Sequence, residues 1–343
     1  MAHRASAGPG AQAGADYDMH AAVRSRVDAF VRDLASAPWY DRVSAVVVSG
    51  SAARGEEIWD GTRLVSDIDM MVVTRSESPR LARAISGVIE RHAASGIDGG
   101  RIPVRALRSY RTVAFYEAKF TGCVVAGRSD CLAAIPMTGP LDIPRWEGLR
   151  LVANRLFEHV KLAAGVSDAT TCARKSYEAI GEAQLIAEGR YRPSFRARLA
   201  ELSERPSDSP VPALGERYEE AVRARFSRDT DDLPEPGRAL DDLVRQLGAM
   251  LMTETGVSGP AGTQLDALSR QRRNLVHRAV WALSRLRQRR FGREALMRDP
   301  AIGLWADALS FLEGNGQGLD AHRLYSDWIA APQPLIRRND RTR

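Results

Sequence analysis

Two aspartates one residue apart at the head of an apolar strand, shortly after a glycine-serine turn, constrain this chain more than any other feature. Residues 46–55 read Val-Val-Val-Ser-Gly-Ser-Ala-Ala-Arg-Gly, and residues 65–73 read Val-Ser-Asp-Ile-Asp-Met-Met-Val-Val. The first segment predicts a buried strand, Val43 to Ser49, entering a tight turn at Gly50-Ser51. The second predicts a strand from Ile68 to Thr74. Successive strand side chains point to opposite faces, so Asp67 and Asp69 share one face while Ile68 points into the core. An exposed edge strand can carry the same Asp-x-Asp, and Gly-Ser is a common turn pair. The apolar runs Val46 to Val48 and Met70 to Val73 argue against an exposed edge.

Adjacent carboxylates repel, and placing them on a buried strand is costly without compensation. A divalent cation is the usual remedy. Mg²⁺ takes one or two carboxylates and completes its shell with water and substrate phosphates. The turn supplies a partner for those phosphates. Gly50 permits close backbone approach, and Ser51 offers a hydroxyl and an N–H at the expected start of a short helix. Arg54 follows about one helical turn later, where it can add a charge-assisted bond to phosphate oxygens. Together these features describe a nucleoside triphosphate site.

Gly-Ser-x-x-Arg-Gly at 50–55, then Ser-Asp-Ile-Asp at 66–69 and an apolar strand, resembles the signature of the DNA polymerase β-type nucleotidyltransferase superfamily. Within it the likeness is greatest to the bacterial aminoglycoside and minimal nucleotidyltransferases, over residues 40–130. The spacer from Ser51 to Asp67 is longer than that pattern, which places a small loop insertion around Ile58-Trp59-Asp60-Gly61. The resemblance implies an α+β fold, with a small mixed-sheet nucleotidyltransferase domain followed by an all-helical domain. It implies Mg²⁺-dependent transfer of a nucleoside monophosphate from an NTP, such as ATP, to a hydroxyl. Asp67 and Asp69 would be the catalytic metal ligands, and Gly50, Ser51, Arg54, Ser66 and Lys175 would face the nucleotide. A small-molecule acceptor is favoured over a protein side chain or an RNA end.

The resembling enzymes carry a third Asp or Glu on the next core strand. The matching strand is expected here at Ile102 to Leu107, which has no carboxylate and places Arg105 at that position. Asp98, in the preceding loop, and Glu117, on the following helix, are the nearest acids. Three alternatives stay open: another acid completes the site, two aspartates suffice, or the domain is degenerate. In the last case the protein would be a regulator that binds nucleotide or nucleic acid.

The length of 343 residues accommodates two domains. The expected division is a tail at 1–15, the nucleotidyltransferase domain at 16–143, a helical acceptor-binding domain at 144–330 and a tail at 331–343. A helix with Val23, Val27, Phe30 and Leu34 on its apolar face precedes the first strand. Ser78-Pro79 opens a second helix, which buries Leu81, Ile85, Val88 and Ile89. Gly96 to Gly100 is read as a break, followed by the strand at Ile102, a helix at Val113 to Phe120 and a strand at Cys123 to Ala126. Helices are expected to cover one side of this sheet.

After Pro144 only helical periodicity remains, interrupted at Arg205 to Pro210, Asp232 to Gly237 and Gly256 to Gly262. A long core helix is expected from Ala267 to Arg290. Glu158, His159, Lys161, Lys175, Tyr177 and Glu178 lie on the first helices of this half and are expected to present the acceptor. The arginines between Arg272 and Arg293 read as the solvated face of a core helix, with an acidic or RNA partner as the alternative.

Composition narrows the remaining classes. The formal charge is +6, yet only three of 49 basic residues are lysine, a skew expected of a GC-rich bacterial genome, so charge argues only weakly for a polyanion partner. No stretch is apolar enough to span a membrane, and the first ten residues lack the apolar core of a leader. Cys123, Cys131 and Cys172 are odd in number, without metal spacing, which fits a reducing cytoplasm. The six histidines are scattered, and none is spaced as a metal ligand. Oligomeric state is not legible.

Overall fold

The computed structural model describes residues 19–204, 208–227, 232–271, 299–316 and 318–330. The expected tails at 1–15 and 331–343, and the arginines from Arg272 to Arg293, lie outside these residues. The chain divides into two compact units with the break between Asp142 and Ile143.

In the first unit, α1 (Ala21–Ala35) leads into β1 (Val43–Ser49). A hairpin, β2 (Trp59–Asp60) and β3 (Arg63–Leu64), separates β1 from β4 (Ile68–Thr74). Next come α2 (Pro79–His92), β5 (Ile97–Pro103), α3 (Val104–Ser109), α4 (Val113–Thr121) and β6 (Cys123–Gly127). The main sheet has the order β5-β4-β1-β6. β1 runs antiparallel to β4 and β6, and β4 runs parallel to β5. The fold is thus α+β with a small mixed sheet.

Sequence periodicity explains the core. Val46, Val48, Ile68, Met70, Val72 and Ile97 alternate along three strands and pack against Val23, Val27, Phe30 and Leu34 of α1. Leu81, Ile85, Val88 and Ile89 of α2 close the same cluster, and Ser78 caps that helix by accepting the Leu81 N–H. The opposite face is not bare, as a one-sided cover would leave it. Ala45, Val47, Met71 and Val73 are buried there as well, and α4 packs on β1. The short β-strands of a sheet buried on both faces read as continuous apolar runs.

Three local readings need correction or refinement. Gly96 to Gly100 is not a break between helix and strand, because β5 itself begins at Ile97. The stretch read as a strand at Ile102 to Leu107 turns helical at Val104, and Arg105 sits on α3, paired with Glu77 at 2.7 Å. The insertion around Ile58 to Gly61 is an ordered hairpin: Gly61 takes φ 58° at its tip, and the Val65 N–H donates to the Ile58 carbonyl at 2.8 Å.

Among its described residues the second unit is entirely helical. It comprises α5 (Arg145–Ala163), α6 (Ala169–Ala187), α7 (Phe195–Glu204), α8 (Leu214–Phe226), α9 (Pro236–Thr255), α10 (Ala261–Gln271), α11 (Pro300–Leu312) and α12 (Ala321–Ala330). The interruptions expected at Asp232 to Gly237 and Gly256 to Gly262 overlap the first residues of α9 and α10, that at Arg205 to Pro210 lies partly outside the described residues, and Gly256 ends α9 in the left-handed conformation. Of the long helix expected from Ala267 to Arg290, only the first residues are described, and they belong to α10; the rest lies outside the described residues. No described helix is long and apolar enough to cross a membrane.

Phe30 is fully buried between α1 and the sheet. Phe30→Ala should destabilise the first unit by about 3–5 kcal/mol, while Leu141→Ser at the exposed edge of the unit should stay within about 0.5 kcal/mol. Hydrogen exchange of β1 and β4 amides reads this unit separately from the helical one.

Candidate active site

Gly50 ends β1 in the left-handed conformation, with φ 64°. A Cβ at this position would lie 2.0 Å from Asp69 Oδ2, so the carboxylate occupies space that any other residue would fill. Ser49 and Asp69 are register partners, and Ser49 Oγ donates to the Asp69 carbonyl at 3.3 Å. Turn and acid are therefore one structural feature, although 19 positions separate them in the chain.

Downstream of Gly50 the chain does not enter the expected short helix. Residues 51–55 form a compact turn in which the Arg54 and Glu56 N–H groups both donate to the Ser51 carbonyl, each at 3.0 Å. Ser51 itself is buried. Without a helix there is no macrodipole behind Ser51, and the turn's own backbone is what remains to face an anion.

The expected third strand had Arg105 and no carboxylate, whereas the strand that pairs with β4 carries Asp98. Asp98 lies on β5 directly beside Asp69 in the parallel register. Neighbours in a parallel ladder point to the same face. Asp67 precedes β4 by one residue and shares the parity of Asp69, so three aspartates line one edge of this face. The sequence hid Asp98 behind Gly99 and Gly100, which look like a turn. In the structure Gly99 is demanded by its neighbour: φ is 144°, and a Cβ there would fall 1.9 Å from the Met70 carbonyl oxygen. Glycine within a strand marking close backbone approach was the available signal. The Gly99 N–H donates to Asp98 Oδ1 at 2.7 Å, which fixes the carboxylate.

The electrostatics match this crowding. Asp69 is pushed up from the usual carboxylate range to about 6, first by desolvation and then by the charges of Asp98, Asp67 and Glu117, with Arg54 acting in the opposite direction. Its side chain still reaches solvent, so the protein walls it without covering it.

Arg54 occupies the other side of the turn. Its guanidinium donates from Nε to Glu56 Oε2 at 2.8 Å and from Nη1 to Glu117 Oε2 at 3.1 Å, and its side chain is only 5% exposed. Ser66 Oγ accepts the Ile58 N–H at 3.0 Å, latching the base of the hairpin.

Lys175 belongs to the second unit, where its ammonium donates to Glu158 at 3.3 Å. Glu158 also receives Lys161 at 3.3 Å and Arg155 at 3.8 Å. Burial lowers the Lys175 pKa, with Glu158 opposing, and Arg155 and Lys161 lower it further. The other residues expected to present an acceptor are largely internal. His159 is hydrogen-bonded to Ser176 at 3.0 Å and held down to about 4 by burial, Tyr177 donates to Asp242 at 2.9 Å, and Glu178 takes Arg174 at 2.6 Å. The His159 and Tyr177 bonds join helices within the unit, while the Arg174–Glu178 pair lies along one turn of α6.

Among the described residues no three His, Cys, Asp or Glu side chains form a ready metal cage. The donor set still fits a hard divalent cation. Asp98, Asp67 and Glu117 act on Asp69 against the opposing charge of Arg54, and an ion of the Mg²⁺ type needs only one or two protein carboxylates when phosphate oxygens complete its shell.

No family model matches the chain, and no curated protein matches it. Among solved structures it is similar to spectinomycin adenyltransferase AAD(9) from Enterococcus faecialis, crystallised with ATP and spectinomycin. The TM-score is 0.42 and the identity 14%, over 65% of this chain and 98% of that one. A likeness at that score carries no argument about activity.

The raised Asp69 pKa has a stability consequence. Its folded value exceeds the unfolded 3.8, so its contribution is intact below about pH 4 and is lost as pH rises through about 6. Without ligand, Asp69→Asn should therefore melt higher than the parent at pH 7, and the difference should close by pH 4. Gly50→Ala should melt lower at both values, since it sets a methyl group against Asp69 in a left-handed backbone. Thermal melts across this pH range are the check.

Proposed function

We propose that the protein is a divalent-ion-dependent nucleotidyltransferase, moving a nucleoside monophosphate from an NTP to the hydroxyl of an acceptor, most favourably a small molecule. The observation that carries this reading is the register of Asp98 with Asp69 on parallel strands, with Asp67 on the same face and the Gly50 turn closed against Asp69. Nothing in the packing of a small sheet requires three aspartates at one edge. A triphosphate-bound cation held by two of them, with the third beside it as a base, gives each a use.

In this reading Asp67 and Asp69 hold Mg²⁺. The ion would supply charge neutralisation for the triphosphate and the leaving pyrophosphate. Gly50 and the backbone of the following turn approach the phosphates, because no side chain at Gly50 stands in the way. Asp98, whose Oδ1 accepts the Gly99 N–H, would take the proton of the attacking hydroxyl. The hydroxyl oxygen bonds to the α-phosphorus as the bond to the bridging oxygen breaks, and pyrophosphate departs. The acceptor hydroxyl has to lie about 3–3.5 Å from the α-phosphorus in line with the leaving group.

Two measurements test the proposal. An NTP should raise the melting temperature only with a divalent ion present, and Asp67→Ala or Asp69→Ala should remove that response. Asp98→Asn should keep the response while slowing turnover by about 10²–10⁴-fold, the span for a lost general base. An undiminished nucleotide response in the Asp67→Ala/Asp69→Ala double variant would overturn the assignment and favour a nucleotide-independent role.

A further inference from the structure

Arg54, Glu56 and Glu117 form a buried charged cluster that the proposed reaction does not use. Arg54 lies in the turn after Gly50, and its guanidinium reaches two carboxylates in different directions, at 2.8 and 3.1 Å. Glu56 is 4% exposed, and its own N–H closes the turn on the Ser51 carbonyl. Glu117 is on α4, whose Val113, Phe115, Tyr116 and Ala118 are all buried. That helix is fixed at both ends, by Thr112 capping the Phe115 N–H at 3.1 Å and by Lys119 donating to the Ile135 carbonyl at 2.7 Å. One end of the Arg54 bridge is thus a turn without regular structure, and the other is a rigid wall.

We infer that Arg54 and Glu117 are a positioning pair, in which the guanidinium ties the Gly50 to Gly55 turn to α4 and Glu117 serves as its anchor. The inference rests on the nucleotidyltransferase reading of the same site. It assigns Arg54 a different task from a phosphate contact and removes Glu117 from the acids of the reaction. Directional bonding explains the residue type. A guanidinium donates along several fixed axes and can span two carboxylates, whereas an ammonium is a point charge.

The test measures divalent-dependent NTP binding by calorimetry, beside turnover and the melting point without ligand. Arg54→Ala and Glu117→Ala should each weaken NTP binding about tenfold to hundredfold, as for supporting residues of a metal site. Their combination should cost no more than about threefold beyond the worse single variant, because both break one bridge. Glu117→Gln should restore binding to within about threefold of the parent, since its amide oxygen can accept the same guanidinium N–H.

Arg54→Lys covers the case in which the alanine variants fail to fold. It should weaken binding as the alanine change would, and binding near the parent level would overturn the pair. Weakened binding in Arg54→Ala with none in Glu117→Ala would also overturn it, in favour of a direct phosphate contact. So would a loss of turnover of about a hundredfold or more in Glu117→Gln with NTP binding intact, which is the mark of a general base. If the parent protein binds no NTP with any divalent ion, the underlying reading fails, and the pair with it.

Discussion

Like-charge repulsion around Asp69 is the constraint on which the rest of the first unit depends. Burial first, and then Asp98, Asp67 and Glu117, raise its proton affinity, and the braced sheet holds those acids beside it. The bracing is apolar. Val46, Val48, Ile68, Met70 and Val72 are sealed beneath α1 and α2, so β4 cannot shift without exposing its core side chains. A residue slip along a strand would turn every buried side chain outward and every aspartate inward. The hydrophobic pattern that stabilises the sheet is therefore also what holds the acids together.

Glycine makes the arrangement possible at two points. At Gly50 the missing side chain gives Asp69 Oδ2 its place. At Gly99 it lets β5 approach β4 closely enough for Asp98 to stand beside Asp69. Both are positive-φ positions, where a side chain would add strain to the collision. A site built from repelling charges is thus fitted into the tightest part of the backbone.

The helical unit places its charges differently. Glu178 is nearly buried but receives Arg174 and Arg225, and Arg198 is held between Glu182 and the rings of Tyr191 and Phe195, each centred 4.6 Å from the guanidinium. Such pairs add little net stability, but removing one partner from a buried pair typically costs about 3–5 kcal/mol. Burial of this kind explains why charged residues on α5 and α6, which look like a recognition surface in one dimension, serve largely as internal ties.

Local sequence determined much of this protein. Apolar alternation located β1 and β4, the Ser78-Pro79 start located α2, and Gly50, Asp67 and Asp69 stood out because their spacing has few structural uses. What it could not show was any property that depends on a neighbour distant in the chain. Gly99 reads as a turn until the Met70 carbonyl is seen where its Cβ would be. Asp98 reads as a loop acid until β5 is paired with β4, and Arg54 reads as a phosphate contact until α4 brings Glu117 to it. Periodicity is written along the chain, whereas strand pairing and charge compensation arise between segments that only folding brings together.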